Sequence, residues 1–225
     1  MNTYRICKWM IVPACTLAFA CGPAEEPAIE PPKVCTTDDR VWRSGEVTPE
    51  RYAEFQASRC SEIESNLVIR GNDEDFEPDY FARLQKIHGY LTIVPSTSRI
   101  TNFSMLRNLE EVGVTLDVIG PMAGEGHVLS LSGMTSLLRI GDDLVVRENA
   151  NLQSLGLTAL EEVGRIIIDT NPDLYALGLP RLKKAGSVNI WRNTLLSRDD
   201  IDHLVEGLEV EGTINICGNL EDDPC

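Results

Sequence analysis

Lysine and arginine are scarce in this 225-residue chain, 20 against 35 aspartates and glutamates, for a formal charge of -15. So acidic a chain repels nucleic acid and other polyanions and leaves cationic or neutral partners. Histidine is scarcer still: His88, His127 and His203 fall at a strand start, a loop and a capping helix, so no shared metal is expected. There is no Ser/His/Asp or Cys/His spacing for a nucleophile and no glycine-rich loop for phosphate, and no cofactor is expected. No apolar run reaches the roughly 20 residues of a bilayer-spanning helix. With 43% hydrophobic residues, 24% charged and only 6% aromatic, the chain suits one or two globular domains with an aliphatic core.

What is present begins with an export signal over residues 1–20: Arg5 and Lys8, an apolar run of about twelve residues, then Ala18-Phe19-Ala20. The next residue is Cys21, and the segment resembles the lipobox of bacterial lipoproteins, with Ala18 where that motif usually has Leu. The resemblance implies lipidation of Cys21; a plain secreted protein is the alternative. Gly22 in place of Asp leans toward the outer membrane. Residues 21–34 comprise that Cys and a proline- and glutamate-rich tether, GPAEEPAIEPPKV. In polyproline II geometry, at about 3.1 Å per residue, it would span about 40 Å. Once residues 1–20 and a lipidated Cys21 are set aside, Cys35, Cys60, Cys217 and Cys225 remain. Four cysteines allow three connectivities; Cys35–Cys60 with Cys217–Cys225 would staple the two ends of the domain.

Residues 35–225 repeat themselves. Runs ending at Ile69, Ile93, Val118, Val146, Ile168, Ile190 and Ile216 alternate apolar and variable positions, and their ends are 24, 25, 28, 22, 22 and 26 residues apart. That is strand periodicity inside a solenoid period. Between them recur Leu-x-x-Leu-x-x-Val combs, as at Leu106–Val112 and Leu157–Val163, each followed by Gly113, Gly141, Gly164 or Gly186 at a tight corner. One coil cannot bury its own apolar face, so the coils must stack. The expected fold is therefore mainly β, a parallel β-helix of about seven rungs with short capping helices at both ends. One helix is expected after Thr48-Pro49, carrying Tyr52 and Phe55. The other follows Ser197, with Ile201, Leu204, Val205 and Leu208 on one stripe. Three residues after each inward strand end stand Asn72, Asn149, Asn171, Asn193 and Asn219, with Ser96 in the second rung, a structural ladder that satisfies turn backbone.

On these residues, Cys60 through Ile69, Leu84 through Ile93, the Leu-x-x-Leu-x-x-Val-Gly units and Ile168-Asp-Thr-Asn171-Pro172, the chain resembles the receptor L domains of the insulin and epidermal growth factor receptors over roughly residues 35–220. The resemblance implies a right-handed single-coil β-helix, a bridge between Cys35 and Cys60, and a broad sheet that contacts a polypeptide ligand. No furin-like region, second L domain or kinase accompanies it, so signalling is not implied.

The outward-facing strand residues would be Val68/Arg70, Thr92/Val94, Asp117/Ile119, Val145/Arg147, Ile167/Asp169 and Asn189/Trp191. Such a face is unusually apolar for a solvated sheet. Trp191 and Arg147 are anchor types at protein interfaces, so the expected role is a membrane-anchored module that recognises a protein or other surface ligand. The alternative is a structural, self-associating envelope lipoprotein. A polysaccharide-active β-helix is least favoured, since only Asp117 and Asp169 supply carboxylates, two rungs and about 9–10 Å apart. The acidic loop 72–79 lacks the glycine and bidentate glutamate of a calcium loop, and Asn102-Phe103-Ser104 is a glycosylation sequon without meaning in a bacterial lipoprotein.

Overall fold

The computed structural model describes residues 33–35, 46–47, 59–71, 81–95, 99–100, 103–120, 127–220 and 225; at 46–47, 70–71, 95, 99–100 and 127 it describes the backbone alone. The signal segment, Cys21, most of the tether, the helix after Thr48, Asn72, Ser96, Asn102 and the acidic loop lie outside the described residues.

The alternating runs form parallel strands stacked in register. They are β4 (Leu67–Gly71), β6 (Leu91–Pro95), β9 (Leu116–Ile119), β11 (Arg139–Arg147), β12 (Glu162–Asp169), β13 (Lys184–Trp191) and β15 (Ile214–Cys217), with β2 (Glu46–Val47) pairing β4. Leu67, Leu91, Leu116, Leu144, Ile166, Val188 and Ile214 lie above one another, and the members from Leu67 to Val188 are 0% exposed. Burial of each such side chain contributes about 1.5–3 kcal/mol. No aromatic residue is needed in columns this narrow.

The solenoid has about six turns, slightly fewer than the seven rungs expected. Of the two expected capping helices, the one after Thr48 lies outside the described residues, and the other is α1 (Arg198–Glu206). Its N-cap is Ser197, whose hydroxyl accepts from the Asp200 N–H and bonds the Asp200 carboxylate at 2.8 Å, while Ile201 is buried.

A second run of short strands precedes the first in every coil: β1 (Val34–Cys35), β3 (Glu62–Ile63), β5 (Lys86–Ile87), β8 (Glu111–Val112), the beginnings of β11, β12 and β13, and β14 (Glu209–Val210). A third side carries β7 (Arg99–Ile100) paired with β10 (His127–Val128), so His127 opens a strand and not a loop. The glycines do not break the chain, because β11, β12 and β13 run through Gly141, Gly164 and Gly186. A Cβ on Gly141 would stand 1.9 Å from the Gly113 carbonyl oxygen, and one on Gly186 2.3 Å from that of Gly164. Close approach between coils, and not a left-handed φ, therefore dictates glycine in this column.

At the C-terminal ends of β11, β12, β13 and β15 the chain turns through a left-handed residue, Glu148 (φ 59°), Thr170 (55°), Arg192 (58°) or Gly218 (64°). An asparagine follows each. Its Nδ2 donates to the carbonyl two residues back, at 2.8 Å for Asn149, 3.2 Å for Asn171 and 2.9 Å for Asn193. Its Oδ1 accepts the backbone N–H of the asparagine one coil earlier: Asn149 to Asn171 at 3.1 Å, Asn171 to Asn193 at 3.0 Å and Asn193 to Asn219 at 3.1 Å. These bonds offset the roughly 1–2 kcal/mol that a left-handed non-glycine residue costs. Disulfides join Cys35 to Cys60 and Cys217 to Cys225, at the first and last coils.

Candidate docking face

Along β9 burial alternates strictly, with Leu116 and Val118 inside and Asp117 and Ile119 outside. Pairing carries that polarity from strand to strand. One outward column runs Val68, Thr92, Asp117, Val145, Ile167, Asn189 and Asn215; its neighbour ends in Ile119, Arg147, Asp169, Trp191 and Cys217, with Arg70 and Val94 paired at its start. The register thus brings the twelve sequence-selected residues onto one sheet face. For Arg70 only the backbone is described. Asn189 departs from the expectation of an outward contact residue: it is 9% exposed, donating to the Ile166 carbonyl at 3.4 Å and accepting from Asn215 Nδ2 at 2.8 Å. A polar side chain that finds partners along the sheet lies flat on it. Asp117 and Asp169 also fall in different columns, so they do not form the facing pair that glycoside hydrolysis would need.

The two aspartates have opposite electrostatics. Asp117 is pushed above the ordinary carboxylate range by burial, which outweighs the attraction of Arg147. The Arg147 guanidinium stands 4.0 Å from Asp117 Oδ2, and Oδ1 is buried with no hydrogen-bond partner. For Asp169 burial acts upward too, but hydrogen bonds from Arg192, Thr170 and Trp191 and the Arg192 charge outweigh it and hold the group below its usual value. Arg192 donates Nε to Oδ1 at 2.8 Å and Nη2 to Oδ2 at 2.5 Å. A paired acid and an under-compensated one thus share a face with Val145, Ile167 and Trp191.

Arg192 was not selectable from alternation, because it sits in the turn after the strand. The opposite organisation prevails on the short strands, where the outward column reads Glu62, Lys86, Glu111, Arg139, Glu162, Lys184 and Glu209. Its signs alternate at every step, with contacts of 3.0 Å for Lys86–Glu111 and 3.1 Å for Arg139–Glu162. The signal lay in charged residues two dozen positions apart. Among the described residues no group of three or more His, Cys, Asp or Glu side chains could hold a metal ion, and no helix is long and apolar enough to cross a membrane.

Residues 59–118 match the receptor L domain family, and the coils after residue 118 continue the register of the matched ones. No curated protein matches the chain.

Proposed function

We propose that this receptor L-domain solenoid is a lipid-anchored recognition module of a bacterial envelope, holding a protein ligand against the outward face of its long strands. The observation that carries the reading is the contrast between two faces of one stack. The short-strand face alternates acid and base from coil to coil, with ion pairs at Lys86–Glu111 and Arg139–Glu162, whereas the long-strand face presents Val145, Ile167 and Trp191 beside Arg147. Aromatic and arginine side chains set among apolar neighbours dominate interface energetics. A patch of this kind on a solvated sheet calls for a partner. The family match supports a ligand-binding module. The acidic composition favours a cationic or neutral ligand.

Anchoring rests on Cys21 and the tether, which would hold residues 35–225 up to about 40 Å from the lipid. Palmitate incorporation lost in Cys21→Ser tests the anchor separately from the docking face. For the face, a photo-crosslinking residue replaces Ile167 in cells, with the same probe at Glu162 on the short-strand face as control. The expected result is one discrete heterologous adduct from position 167, absent from 162 and lost when Arg147→Ala and Trp191→Ala are combined at unchanged unfolding temperature. Equal crosslinking from both positions would sink the proposal, and an adduct only to a second copy would replace it with a self-assembling envelope protein.

A further inference from the structure

The inward columns end abruptly at the last coil. Leu67, Leu91, Leu116, Leu144, Ile166 and Val188 are each 0% exposed, whereas Ile214, next in the same column, is 44% exposed. Ile216 follows the fully buried Ile190, and Val210 the fully buried Ala185, yet both are only partly buried. Leu220, just past the strand, is 40% exposed. Among the described residues the inward columns are therefore only partly covered at β14 and β15.

The backbone there is open too. Among the described residues β15 pairs with β13 alone. The Val188 and Arg192 amides donate to the Thr213 and Cys217 carbonyls at 2.9 and 3.1 Å. Backbone groups of successive strand residues point to opposite sides, so Ile214 and Ile216 direct theirs away from β13. Exposed edges of this kind are templates for another strand, and proteins ordinarily blunt them with lysine, proline or an inward charge. Ile214-Asn-Ile216 has none of these.

The surroundings select the chemistry of the occupant. Residues 199–220 contain six Asp and Glu and no Lys or Arg, and Glu206, Glu209 and Glu211 are exposed. Two such ends would repel each other, which disfavours a second copy docked tail to tail. We propose that the C-terminal end of the stack is a second docking site, where an extended polypeptide segment with alternate apolar residues and flanking lysines or arginines pairs with β15 as an added rung. Backbone bonds to Ile214 and Ile216 would supply register, apolar side chains would cover the open columns, and the acidic rim would select against anionic strands.

The probe is a dye-labelled peptide, Lys-Lys-Thr-Val-Thr-Ile-Thr-Val-Lys-Lys, titrated with the full chain by fluorescence anisotropy. We expect saturable binding that weakens with salt. It should fall about tenfold or more in Ile214→Lys, which places a like charge and a gatekeeper side chain on the edge, and stay unchanged in Glu62→Gln at the other end of the stack. A peptide with proline in place of its central isoleucine should not bind, a test that leaves the protein intact. No binding, equal binding of a peptide with glutamate for each lysine, indifference to Ile214→Lys, or sedimentation showing a dimer abolished by that substitution would each overturn the proposal.

Discussion

Arg192 holds Asp169 with two parallel hydrogen bonds from the left-handed turn one coil away, while Arg147 remains 4.0 Å from Asp117. One acid of the face is therefore committed inside the molecule and the other is not. Asp169 has a folded-state pKa below its unfolded one. Its contribution to stability is complete above the unfolded carboxylate value and is lost as pH falls through the folded one. Asp169→Asn should flatten the acid limb of a stability-against-pH curve below about pH 4 and change little at neutrality beyond about 1 kcal/mol, read by urea unfolding at several pH values.

Asp117 has the opposite sign. Its pKa is raised in the fold, so the folded state binds more protons and stability declines as pH rises from the unfolded to the folded value. Asp117→Asn should therefore raise the unfolding free energy at neutral pH by about 1 kcal/mol. If the carboxylate serves ligand capture, the same substitution should weaken capture, the usual exchange of stability for function. A loss of stability would show that the ionised group is better compensated than its geometry indicates.

Within the ladder, position matters. Asn171→Ala removes three side-chain donations, to Val146, Asp169 and Asn193, and also strands the N–H of Asn149. Asn149→Ala strands no such amide, since its own Oδ1 has no partner. We expect Asn171→Ala to cost about 2–4 kcal/mol and about 1 kcal/mol more than Asn149→Ala, both read by equilibrium unfolding.

Glycine substitutions separate close approach from chain stiffness. Gly141→Ala must displace the Gly113 carbonyl and should cost more than about 3 kcal/mol. Gly207→Ala, whose Cβ would meet nothing nearer than 3.9 Å at φ -89°, should be neutral or stabilising by about 0.4–1 kcal/mol. Thermal unfolding of the pair decides whether coil spacing sets the glycine column.

The solenoid was legible because its cause is periodic: Leu91, Leu116 and Leu144 must each be apolar for the same reason. The asparagine ladder was legible in position and in its service to turn backbone, but the left-handed turns at Glu148, Thr170 and Arg192 were not, since their side chains give no sign of them. Outwardness at Asp117 and Trp191 followed from alternation. The burial of Asn189 did not, because its bonds to Ile166 and Asn215 depend on neighbours two dozen residues away. The exposure of Ile214 and the partial burial of Ile216 were hidden for a related reason, as the two read like every earlier pair.

The alternation of sign from Glu62 to Glu209 gives the stack a parity. Removing one coil, such as that of Glu162, would set Arg139 against Lys184, and like charges directly opposite are unfavourable. Removing two coils would restore an opposite-sign contact between Arg139 and Glu209. Length in this architecture should therefore change most easily in even steps, a constraint imposed by its outermost side chains rather than by its core.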